Sequence, residues 1–122
     1  MDSEIILELV RIQNQFRFLH WQTKSYAKHI AYGEFYSTLD GLIDKYTEVC
    51  MGKHGRPEFN GEFSLSFQDI KVFSAQNFLD SSTEFIMGIA ESLDPNEDTD
   101  LLNIKDEILA EINKLKYLLT LN

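Results

Sequence analysis

The sequence predicts an all-α protein, a four-helix bundle with a long, partly extended crossover between the second and third helices. Two observations predict it. Apolar residues recur at spacings of three and four in four separate stretches, the signature of amphipathic helices. Between the second and third of these, residues 53–73 break that rhythm and alternate with a period of two. The 122 residues suffice for one domain, 1–122, built around one core.

The first helix is expected over 3–22, with Ser3 as N-cap and Ile5, Leu9, Ile12, Phe16 and Leu19 as its stripe. Gln22-Thr23-Lys24-Ser25 interrupts it. The second helix is expected from Tyr26 to Met51. Phe35, Leu39, Leu42, Tyr46 and Val49 line one face, with Tyr36, Ile43 and Cys50 beside them. Gly33 and Gly41 lie inside this helix, each at about 1 kcal/mol relative to Ala, which points to close packing or a kink. Gly52, Gly55 and Pro57 are expected to end it.

In the crossover, Phe63, Leu65 and Phe67 alternate with Glu62, Ser64 and Ser66. Twenty-one extended residues reach up to ~70 Å, whereas a helix of about 25 residues is only ~38 Å long. The connection can therefore run the length of the bundle and start the third helix parallel to the second. Five phenylalanines in and just after it (Phe59, Phe63, Phe67, Phe73 and Phe78) argue that it packs. The third helix is expected from a Ser74 cap to Leu93, and the fourth over about 99–121. The short Asp94-Pro95-Asn96-Glu97 turn makes them antiparallel neighbours.

Composition narrows the function classes. The chain is 43% hydrophobic and 25% charged, too apolar for disorder. A formal charge of −9 repels phosphate backbones and disfavours nucleic acid as a partner. No apolar run approaches the ~18 residues of a membrane span. Acids stand where a signal peptide carries positive charge, and Cys50 is alone, so a cytoplasmic location is expected.

His20, His29 and His54 all lie in the first half, with Glu34, Asp40, Asp44 and Glu48. Asp40, Asp44 and Glu48 recur every fourth residue, where like charges repel by a few tenths of a kcal/mol. Such a stripe is either a solvated face or a cation site, for which carboxylates and imidazoles suit iron, manganese or zinc. Asp44 lies fifteen residues beyond His29, about 22 Å along one helix. Two antiparallel chains bring them to one ion more readily than a single chain does.

The segment HWQTKSYAKHIAYGEFYSTLDGLIDKYTE resembles the first two helices of the Dps-type mini-ferritins, in the ferritin-like superfamily. Those carry a His-Trp pair ending the first helix, a His early in the second, and an Asp and Glu four apart further along. His20-Trp21, His29, Asp44 and Glu48 match in turn. The likeness is closest over the first 55 or so residues. It continues in outline to an E-x-x-K-x-x-aromatic pattern at Glu111, Lys114 and Tyr117, and is nearest in look to short ferritin-like proteins of large phages. It departs in two places. The His20–His29 link is about three residues shorter, and the acid expected four residues after His29 is Gly33, with Glu34 one position off.

The resemblance implies a ferritin-like bundle with an iron site between two subunits. His20 and His29 come from one subunit, Asp44 and Glu48 from the other, and Glu34 is the remaining candidate ligand. It implies oxidation of ferrous iron by peroxide or dioxygen. Trp21, with Tyr26 or Tyr36, would take up stray oxidising equivalents. It also implies a homo-oligomer, a dimer at least, with a dodecameric cage as one form open to it, in the host cytoplasm if viral. The alternative is a non-enzymatic structural or interaction protein with a degenerate site, favoured by Gly33. For Trp21 the alternative is a buried anchor between helix ends.

Overall fold

The computed structural model describes residues 2–121. Its helices are α1 (Asp2–Gln22), α2 (Tyr26–His54), α3 (Ala75–Gly88) and α4 (Thr99–Leu118), with a 3₁₀ turn at Ile89–Ser92. No strand occurs among the described residues. The molecule is a four-helix bundle, as the periodicity predicts.

The ends follow local chemistry. The Ser25 and Ser74 hydroxyls accept the N–H groups of Lys28 and Asn77, each at 3.3 Å, starting α2 and α3. Ser3, expected as a cap, is already inside α1. Gly52 does not stop α2. The helix runs to His54, and Gly55 ends it at φ 82°, a backbone that favours glycine, while its N–H donates to the Met51 carbonyl at 2.9 Å. The third helix tightens to 3₁₀ geometry after Gly88, and α4 stops at Leu118, three residues short of the expected end.

Contacts at the two ends of the bundle set the helix directions. At one end His54 Nδ1 meets the Asp2 carboxylate at 2.8 Å, and Lys53 reaches Asp98 and Asp100 at 3.4 and 3.1 Å. The start of α1, the end of α2 and the start of α4 therefore lie together. At the other end, residues opening α2 and α3 line one pocket with residues closing α4. So α2 and α3 run parallel, and α1 and α4 run the opposite way. Only a crossover as long as the bundle allows this order.

Side chains of α1 hold that crossover in place. Gln15, fully buried, accepts the Gln68 N–H at 2.8 Å and donates to the Gln68 carbonyl at 2.9 Å. Two turns on, Gln22 accepts the Ile70 N–H and donates to Asp69. The Gln15 amide serves both peptide groups of Gln68 as a neighbouring strand would, while Gln22 joins one peptide N–H to one side-chain carboxylate.

The core joins all four helices. Leu9, Ile12, Phe16 and Leu19 meet Leu39, Tyr46, Leu79, Ile86, Leu101, Ile108, Ile112 and Leu115. Phe16 is its aromatic hub, with edge contacts to Phe35, Phe73 and Phe78 at 4.8–5.9 Å. On α2 the buried line runs through Phe35, Leu39, Ile43, Tyr46 and Cys50, while Leu42 and Val49 are only partly covered. The core axis is thus rotated from the expected one by about a residue.

Candidate functional site

The last turn of α1 and the opening turns of α2 carry His20 and His29. The break between them, residues 23–25, folds the chain back so that the two imidazoles stack with centroids 3.9 Å apart and planes 14° from parallel. Their hydrogen bonds are reciprocal. His20 Nδ1 donates to the His29 carbonyl at 2.7 Å, and His29 Nδ1 donates to the His20 carbonyl at 2.9 Å.

A carbonyl only accepts, so both Nδ1 atoms carry protons. In the neutral rings each Nε2 is left with a lone pair. An Nδ1–H committed to a backbone carbonyl is the usual support of a histidine that binds metal through Nε2.

Gly33 makes room for this pair. A Cβ there would lie 2.9 Å from His20 Cε1 and 3.0 Å from His20 Nδ1. The position where the resemblance expects an acid is thus filled by the His20 ring. Tyr36 meets that ring edge-on at 5.4 Å, and the Arg17 guanidinium covers Tyr36 at 4.6 Å.

The acids divide. Asp40 turns to α1 and accepts from buried Gln13 at 2.8 Å. Asp44 and Glu48 are exposed, and neither makes an ion pair among the described residues. Glu34 lies on the side facing α4, lining a shallow depression with Thr38, Glu111 and Lys114. Among the described residues no three His, Cys, Asp or Glu side chains of one chain gather around a common point. The structure therefore brings His20 to His29 and leaves Glu34, Asp44 and Glu48 apart from them.

Trp21 is 63% exposed, so it is no buried anchor. It stands edge-on to Phe18 at 5.9 Å, and Phe18 meets Phe67 of the crossover at 5.0 Å, forming an open aromatic cluster beside the histidines. Sequence reasoning missed Phe18 because it lies off the apolar stripe of α1. It also missed Gln13 and Gln15, polar residues at buried positions within that stripe. Their flanking core residues could have flagged them.

A four-helix bundle with a paired-histidine corner is thus the class of protein at hand. The chain belongs to DUF5856, a family of unknown function whose model matches residues 20–119, from the His20 corner almost to the end of the chain. It is 33% identical over 116 residues to a protein of Enterobacteria phage T4, described as an uncharacterized 14.6 kDa protein in the mobD-ri intergenic region. That match covers 93% of this chain and 83% of the phage protein. No solved structure matches the chain. No helix among the described residues is long and apolar enough to cross a membrane.

Proposed function

We propose that this chain is a ferritin-like bundle of Dps type that works as a homodimer or larger assembly and takes ferrous iron as its substrate. The observation that carries the reading is the reciprocal His20–His29 pair, with both Nδ1 atoms committed and neither Nε2 hydrogen-bonded among the described residues. Two imidazoles with two carboxylates form a donor set for iron, and one that zinc or manganese also accepts. The carboxylates would be Asp44 and Glu48 of a second copy.

The outer face of α2 supports that arrangement. Ser37 is seven residues from both Ile30 and Asp44, eight from both His29 and Lys45, and eleven from both Tyr26 and Glu48. A two-fold axis at Ser37 would set the histidine end of each α2 against the acidic end of its copy. Gly41 lies four residues from Ser37 and has open space around it, so a second helix could approach closely there.

Oxidation would turn ferrous iron to ferric, the electron passing to peroxide or dioxygen. Trp21 and Tyr36, next to His20, would intercept stray oxidising equivalents. We take the setting to be the host cytoplasm, which the phage relative supports. The charge of −9 argues against DNA as a partner.

A second reading, a non-enzymatic interaction protein, draws support from the exposed Phe18–Trp21–Phe67 cluster. Ferrous oxidation by wild type and by Asp44→Ala, with the mass in solution and the bound metal by elemental analysis, separates the two. A dimer or larger, bound iron and a rate lost in the variant are expected. A monomer, or equal background oxidation by both proteins, refutes the iron reading.

A further inference from the structure

At the end of the bundle where α2 and α3 begin and α4 finishes, the structure holds an open pocket of about 410 Å³. This lies within the range of small-molecule sites. Leu79, Leu119 and the ring of Tyr32 give it apolar walls. Tyr32 is only 4% exposed, and its hydroxyl has no hydrogen-bond partner among the described residues. Burial raises the Tyr32 pKa, so the phenol keeps its proton and can donate to a ligand in the pocket.

Two further features favour an anion. Lys28 lines the pocket and pairs with no carboxylate among the described residues. Ala75 and Gln76, also in the lining, belong to the first turn of α3, whose N–H groups have no acceptor within the helix. The Ser74 hydroxyl accepts the N–H of Asn77 and its carbonyl that of Phe78, which leaves the Ala75 and Gln76 N–H groups for a ligand. The carbonyl end of α4 is partly closed by its own backbone, through bonds from Leu119, Thr120 and Leu121 to Leu115, Tyr117 and Leu118.

The same lining limits the charge that fits. Lys116 is already paired with Asp80 at 3.2 Å, and that carboxylate opposes a dianion. We propose that this pocket binds a small amphipathic monocarboxylate. Its apolar body lies on Leu79, Leu119 and the Tyr32 ring, and its carboxylate accepts from Lys28, the Tyr32 hydroxyl and the first turn of α3. This site is separate from the iron reading and does not rest on it.

Octanoate, octan-1-ol and inorganic phosphate serve as probes in amide NMR titrations of the full chain, with affinities from calorimetry. Octanoate is expected to saturate and to shift the amides of Lys28, Ala75 and Gln76. Octanol is expected to bind about tenfold or more weakly, because it lacks the charge. Lys28→Gln and Tyr32→Phe should each weaken octanoate several-fold, with spectra that otherwise stay native. Equal binding of octanol and octanoate, unaltered affinity in both variants, or shifts confined elsewhere would overturn the assignment. Phosphate saturating the site in place of octanoate would overturn it too.

Discussion

Replacing Gly33 with alanine isolates the packing that orders the two histidines. The new methyl would lie 2.9–3.0 Å from His20 Cε1 and Nδ1, closer than van der Waals contact allows. His20 has little freedom to yield, since His29 stacks on its ring at 3.9 Å and the His29 carbonyl holds its Nδ1 at 2.7 Å. Swinging the ring away forfeits that hydrogen bond, about 1 kcal/mol net, and the stacked contact, about 1 kcal/mol more. Alanine returns about 1 kcal/mol of helix propensity. The expected balance is a loss of about 1 kcal/mol.

Gly52→Ala is the control. It lies in the last turns of the same helix with nothing within 4 Å of its added Cβ, so it should gain up to about 1 kcal/mol. Urea denaturation at matched protein concentration, in metal-free buffer, reads the gap of about 2 kcal/mol between the variants. Imidazole ¹⁵N spectra at pH 8 should show Nδ1–H on both rings of wild type and lose it at His20 in Gly33→Ala. If Gly33→Ala stabilises as much as Gly52→Ala and keeps the His20 Nδ1–H, the account of this corner is wrong.

Gln15→Leu removes both bonds to the Gln68 peptide groups from a fully buried position, at an expected cost of about 2 kcal/mol. Hydrogen exchange at the Gln68 amide should accelerate well beyond that of α4, and an unchanged rate there would contradict a pinned crossover. Alkaline stability gives an independent check. Burial, with the Asp2 charge adding to it, pushes the Cys50 thiol up to about 11 from an ordinary 9.0, so the folded state holds its proton longer than the unfolded chain. The associated stability is complete below pH 9 and lost as pH rises towards 11, on the order of 3 kcal/mol. Burial first and Cys50 second raise the Tyr46 hydroxyl, which adds a loss of the same sign above pH 10. Urea midpoints should stay level from pH 8 to 9, then fall from pH 9 to 11 in wild type and fall less in Cys50→Ala; a wild-type curve level throughout would mean that the thiol titrates freely.

The apolar periodicity alone was enough to read four helices, and the caps at Ser74 and Gly55 were legible because a cap depends on one residue and its near neighbours. The crossover was legible too, since 21 residues of broken helical rhythm are long enough to run the length of a bundle. The rotation of α2 was not. Leu42 and Val49 flank the same band as Ile43 and Cys50, and only the helices packed against α2 choose which pair is buried.

The candidate site divides along the same line. His20, Trp21 and His29 stand out as residue types at a helix corner, and Asp44 and Glu48 as a one-turn pair. That the histidines stack, that each Nδ1 is committed to the other's carbonyl, that Gly33 is a seat for a ring, and that Trp21 faces solvent are facts of approach between α1 and α2. Periodicity assigns a residue to a face of its own helix. Which atom of a neighbouring helix meets that face is decided only when the two pack.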